Sequence, residues 1–212
     1  MDVPSLYVMS KFNPNDYPIH VEAHPVDSIP SGPYGSHIEF NASECRRYLA
    51  KYGWTTGLIE LFILNAQKIG SRYFLLDDSG SMTIADGHLP LSISRVPVSR
   101  WSELGDSMRF HIGLLDAAAL PAQIRFLNAT SPHHPIHIGA ADPQRVGKST
   151  TDTIFNESPG GLTPLCQHIR EIVRNIRKEE TKLREERKKA IVMIATDGLS
   201  SDGDVLNALK PL

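Results

Sequence analysis

The sequence predicts an α/β protein built on a doubly wound, mostly parallel sheet with helices on both faces. Three observations lead there. Residues 73–76 and 190–195 are short apolar runs without a polar interruption, the pattern of strands buried on both faces. Such runs alternate along the chain with long stretches whose apolar residues recur at helical spacing, which is the βαβ arrangement. Two of the runs end in acids, as Leu76-Asp77 and Ala195-Thr196-Asp197. Polar side chains thus gather at strand C-termini, where open α/β sheets bind ligands.

The elements follow in order. Residues 1–41 are rich in Pro, Gly, Ser and His without a sustained period. They read as an irregular arm, either extended over the folded part or a disordered tail. Residues 42–70 read as a short helical segment. Its first helix, capped by Asn41 or Ser43, carries Tyr48, Leu49 and Tyr52; a break at 53–57 follows. Its second, residues 58–68, is apolar on nearly every side, which predicts burial against another part of the fold. The unit is too short to hold a core alone, so it is expected to cap the next domain.

Residues 71–212 form the main domain. The first core strand ends at Leu76, and a connector with Gly87, Pro90 and Pro97 leads to a helix over 101–119 capped by Ser99 or Ser102. Residues 123–127 alternate as a second strand, and 137–139 suit a short edge strand. A polar loop is expected up to Gly161. Thr163-Pro164 opens the longest helix, striped by Leu165, Ile169, Ile172, Val173, Ile176 and Leu183. Its second half mixes Lys, Arg and Glu, the mark of a solvated face. Residues 190–195 form the fourth strand and 202–209 a last helix.

Composition excludes several functions. With 22 Lys and Arg against 24 Asp and Glu, the net charge of -2 gives no pull toward nucleic acid or anionic membrane. The longest apolar run, residues 57–66, is too short to span a bilayer and contains Glu60. Two cysteines, Cys45 and Cys166, make no disulfide framework, and the first residues carry no secretory signal. A reducing, cytoplasmic setting is the expectation.

If the first and fourth strands are neighbours, one crevice holds Asp77, Ser79, Ser81, Thr163 and Asp197. Hard oxygens converging on a point suit a hard cation. Here the chain resembles the von Willebrand factor A domain family, whose metal-ion-dependent adhesion site has three parts. Asp77-Asp78-Ser79-Gly80-Ser81-Met82 matches its D-x-S-x-S. Thr163 matches its threonine after glycines, although the loop, Gly160-Gly161-Leu162-Thr163, is one residue longer than usual. Asp197, within Thr196-Asp197-Gly198, matches its later aspartate. The resemblance covers about residues 71–212 and implies a Rossmann-like von Willebrand A fold. By that resemblance Ser79, Ser81 and Thr163 offer oxygens to Mg²⁺ or Mn²⁺, while Asp77 and Asp197 act at least partly through water. An open coordination position then takes an acidic side chain from a partner protein. The expected function is a non-enzymatic, cation-dependent protein–protein interaction module. The family's sheet has six strands and four can be counted here. The domain is therefore expected to be C-terminally incomplete, or else something covers the edge of the fourth strand.

Other motifs in the chain carry weaker signals. Gly147-Lys148-Ser149-Thr150 resembles the end of a phosphate-binding P-loop, but position 142 is Asp rather than Gly and no long helix is expected to follow. A P-loop-like nucleotide enzyme stays as an alternative, as does a helical scaffold acting through residues 42–69. His133, His134 and His137 lack a second zinc-ligand cluster. Asp77-Asp78 lacks the spacing of aspartyl-phosphate phosphatases, and Ser79 and Ser81 lack a hydrolase elbow. Cys166, in the first turn of the longest helix, suits a small buried apolar position. Asp202 and Asp204 leave open a second cation site.

Overall fold

The computed structural model describes residues 7–9, 40–88, 97–128, 135–139 and 147–211. The described elements are β1 (Tyr7–Met9), α1 (Ala42–Lys51), α2 (Thr56–Ala66), β2 (Ile69–Leu76), a 3₁₀ turn (Gly80–Thr83), α3 (Arg100–Ala117), β3 (Ala122–Phe126), β4 (Ile136–Ile138), α4 (Gly147–Phe155), α5 (Leu165–Glu185), β5 (Lys189–Ala195) and α6 (Val205–Leu209). They build a mixed α/β fold on one open sheet of strand order β1-β5-β2-β3-β4. All pairings are parallel except that of β3 with β4.

The sheet is doubly wound because its central strands are apolar on both faces. Along β2, Phe74 and Leu76 face one cluster with Ile124, Phe126, Trp101 and Ile112, roofed by α1 to α4. Tyr73 and Leu75 face the other with Val192, Ile194, Ile169 and Ile172, roofed by α5 and α6. A residue period of two on a strand sorts neighbours to opposite faces. β2 and β5 are adjacent, with Leu76 opposite Ala195, so their acidic ends leave the sheet side by side.

Caps fix where several helices start. The Asn41 side chain accepts the Glu44 N–H at 3.0 Å and Ser99 accepts the Ser102 N–H at 3.1 Å. The start of α5 departs from expectation. Pro164 stands at its N-cap position, and the Asp202 carboxylate, from 36 residues on, accepts from Cys166 N–H at 2.9 Å. Its second oxygen accepts from Gln167 N–H at 2.8 Å. Thr163 is therefore not the side-chain cap of this helix. Asp204 caps α6 through the Leu206 N–H at 2.9 Å. Both acids in question for a second cation site thus serve as helix caps.

Asp202 carries a pH signature. Partial desolvation raises its pKa, but hydrogen bonds from Ser200, Cys166 and Gln167 outweigh this and hold the carboxyl below its ordinary value. A depressed carboxylate stabilises above its unfolded pKa, about 4, and loses that contribution as pH falls through the folded value. Asp202→Ala is expected to cost about 1 kcal/mol at neutral pH. In denaturant titrations at several pH values, the gap between parent and variant should close in acid.

Three expectations need correction. The arm 1–41 contains β1, whose three residues pair with Met193 to Ala195 of β5. The sheet thus has five described strands rather than four, and the outer edge of β5 is covered. The polar loop before Gly161 contains α4, a helix of nine residues that Gly147-Lys148-Ser149 opens. As expected, α2 is buried against the rest of the fold, through the single stripe Ile59, Ile63 and Ala66. Leu58, Leu61 and Leu64 remain 54%, 42% and 41% exposed, so that burial falls on one side of α2. Its partner layer reaches one side of the helix only. Cys45, Leu49, Ile59 and Ile63 belong to the same core as Phe74 and Leu76, so residues 42–70 pack on the sheet layer. Among the described residues no helix is long and apolar enough to cross a membrane.

Candidate functional site

The loops after β2 and β5 meet because their strands are paired in parallel. The ladder continues one step past the strands: the Asp77 N–H donates to the Ala195 carbonyl at 2.9 Å. Asp77 is fully buried, and both its oxygens are used. One accepts from the Ser79 N–H at 2.9 Å, closing a tight turn, and the other accepts from the Thr196 hydroxyl at 2.7 Å. Ser79 and Ser81 hydroxyl oxygens lie 3.2 Å apart. Ser81 donates to Asp197 Oδ1 at 2.9 Å. A continuous chain of hydrogen bonds thus joins Asp77, Ser79, Ser81 and Asp197 across the two strand ends.

Thr163 comes to the same loop cluster through its main chain. The Gly80 N–H donates to the Gly161 carbonyl at 3.2 Å, and the Gly160 N–H to the Asp78 carbonyl at 2.8 Å. Two residues on from Gly161, the Thr163 carbonyl accepts from Ser201 N–H at 2.8 Å. The glycine loop is thereby strung between the β2 and β5 loops. Gly161 has φ +92°, and a Cβ there would lie 2.5 Å from Asn128 Oδ1, so only glycine fits without displacing that amide.

Three further side chains complete the cluster, and motif spacing did not reveal them. Asp78, 7% exposed, accepts from Asn128 through the main-chain N–H at 2.8 Å and the side-chain amide at 2.9 Å, which ties the end of β3 to the loop. Burial pushes the Asp78 carboxyl up, partly opposed by the Asn128 donors. The third is Arg100, at the start of α3. It donates to Asp197 Oδ2 at 2.5 Å from Nη1, and to both oxygens of Asp86 at 2.7 Å from Nε and Nη2. These pairs hold the guanidinium more strongly protonated than usual. One signal was available: a cation in the first turn opposes the helix macrodipole, so some other partner has to hold it there.

The donor set fits a hard divalent ion. Ser81 and Thr196 spend their protons on Asp197 and Asp77 and accept from the Ser79 hydroxyl and the Gly198 N–H, which leaves each oxygen one further lone pair. Neighbouring ligands around Mg²⁺ at 2.0–2.1 Å lie about 3.0 Å apart, near the observed Ser79–Ser81 separation. Among the described residues, no group of three or more His, Cys, Asp or Glu is gathered for a metal. The candidate set rests instead on two carboxylates with hydroxyls. His133 and His134 lie outside the described residues, and His137 is exposed on β4. Lys148 and Ser149 are exposed in the first turn of α4, whose far end, Ile154 and Phe155, packs beneath the sheet end carrying the cluster.

No protein-family model, curated protein or solved structure gives a significant match to this chain.

Proposed function

We propose that this chain is a von Willebrand A-type binding module, not an enzyme, that engages a protein partner through a divalent cation. One observation carries the reading: the unbroken hydrogen-bond chain Asp77–Ser79–Ser81–Asp197 across adjacent parallel strand ends. Ser79, Ser81 and Thr163 would hold Mg²⁺ or Mn²⁺, with Asp77 and Asp197 orienting the hydroxyls and bound waters. The bound ion would supply an open position that draws a carboxylate. Neutral hydroxyl ligands leave the ion its positive charge, so an acidic side chain of the partner is the natural occupant. Neither nucleic acid nor membrane enters this reading, and the setting is cytoplasmic. The P-loop alternative is weaker because Lys148 stands about 10 Å of helix away from Phe155, the end of α4 nearer the cluster.

Water-proton relaxation by bound Mn²⁺ tests the proposal. The parent should bind one Mn²⁺, and Ser79→Ala should weaken it roughly tenfold or more, the usual scale for a lost metal ligand or its support. A glutamate-rich peptide should displace water and quench the enhancement, while a neutral peptide should not. Equal Mn²⁺ affinity in Ser79→Ala would sink the site. Peptide binding that survives EDTA and is lost in Leu58→Asp would instead move the function to α2, whose exposed leucines are the one feature favouring a helical scaffold.

A further inference from the structure

Arg100 already stands where a cation would be expected to act. Its guanidinium is three-quarters covered, with 24% side-chain exposure, and Asp197 beside it is 10% exposed. Two points fix the fork. Asp86 takes Nε and Nη2 in a bidentate pair, and the Arg100 main-chain N–H donates to the Ile84 carbonyl at 3.0 Å. The Gly87–Val98 bridge closes the base of the connector that carries Asp86. The third arm, Nη1, is thereby aimed at Asp197. A guanidinium keeps its charge at any physiological pH and holds carboxylates by geometry as well as charge.

Asp197 is thus neutralised before any ion arrives. It is also the residue that orients Ser81, a candidate ligand. A divalent cation at the hydroxyls has to share Asp197 with Arg100 and sit close to a fixed positive charge. We infer that Arg100 is a tethered counter-ion that lowers the site's affinity for divalent cations and so sets the concentration at which it fills. This deepens the proposed metal reading and rests on it. Arg100 acts through Asp197 and is a positioning residue. The role is also separable from support of the fold, because the two predict opposite signs. Removing a competing positive charge tightens cation binding, whereas removing a structural prop loosens it.

The test is Mn²⁺ affinity by electron paramagnetic resonance of the free ion, at low ionic strength, where a partly exposed ion pair is least screened. Arg100→Gln should bind Mn²⁺ about tenfold more tightly than the parent. Arg100→Lys keeps the charge without the fork and should stay within about threefold of the parent. Asp86→Asn releases the guanidinium from its other partner and should loosen Mn²⁺ binding. Equal or weaker binding in Arg100→Gln, or Arg100→Lys behaving as Arg100→Gln, would overturn the inference while leaving the site. No Mn²⁺ bound by the parent would overturn the site itself, a separate and recognisable result. Should Arg100→Gln lack a cooperative melt, Asp86→Asn decides: affinity equal to or tighter than the parent's overturns the inference.

Discussion

Phe126→Ala is expected to destabilise the protein by about 3–5 kcal/mol, a fall in Tm of roughly 6–20 °C for a chain of this size. Phe126 is fully buried at the C-terminal end of β3. Its ring centroid lies 6.0 Å from that of Trp101 and 5.5 Å from that of Phe155, while Trp101 and Phe155 are 4.7 Å apart. Edge-to-face and tilted pairs at these distances add to the area they bury. The trio has a second role. Trp101 directly follows Arg100, and its indole N–H donates to the Glu157 carbonyl at 2.9 Å, so the trio seats α3 and α4 under the loop cluster. Gly105 belongs to the same contact: a Cβ there would lie 3.1 Å from Phe155. The cavity left by Phe126→Ala should loosen Trp101 as well as lower stability. Urea titration followed by tryptophan emission reads both, since Trp101 is buried and Trp54 is not. A loss under about 1 kcal/mol, with emission unchanged, would show that the trio does not hold this end of the fold.

The second large effect concerns the sheet edge. Deleting residues 1–10 should convert the protein to larger assemblies and lower its melting temperature. β1 takes up the outer side of β5 over Met193, Ile194 and Ala195. Without it, β5 presents unpaired N–H and C=O groups on an apolar strand, the condition that invites pairing with another chain. Both described edges of the sheet, β1 and β4, are only three residues long, which is itself a protection against such pairing. Light scattering coupled to size-exclusion chromatography checks the outcome. An unchanged mass and melt in the truncated chain would show that β1 contributes nothing to the fold.

What could be read from the sequence follows a physical line. Strands β2 and β5 were legible because burial on both faces demands an unbroken apolar run. Their parallel direction then followed from the alternation with helices, while their adjacency is supplied by the folded structure. α3 and α5 were legible because one apolar stripe per helix repeats over several turns. α4 was not. Its Gly147, three threonines and one serine are poor helix formers, and Ile154 and Phe155 are its only large apolar residues. Packing of those two against Trp101, Gly105 and Phe126 stabilises it, a contact that local sequence does not encode. β1 escaped for the same reason: three residues show no period, and the ladder that defines them lies 186 positions away. The burial of α2 was legible, but not which stripe would carry it, because hydrophobicity says what can be buried and not how much surface is there to bury it.

The candidate site divides in the same way. Asp77, Ser79, Ser81 and Asp197 could be picked out because a turn with fixed spacing at a strand end needs no tertiary knowledge. The capping role of Asp202 could not, since it reaches back to a helix that starts 37 positions earlier. Arg100, Asp86 and Asn128 were invisible for the same reason. The charge balance of the cluster is therefore the part that the folded structure adds.

The central claim is that this cluster holds a divalent cation, and a thermal melt in EDTA against a Mg²⁺ titration tests it most directly, with Asp77→Asn alongside. Asn keeps the size of the buried side chain while removing the charge. Mg²⁺ at about a hundred times its Kd should stabilise the parent by about 2.7 kcal/mol, a rise in Tm of roughly 5–11 °C. Asp77→Asn should show little or none of that rise. A parent melt that does not move with Mg²⁺, or one that moves equally in Asp77→Asn, would contradict it.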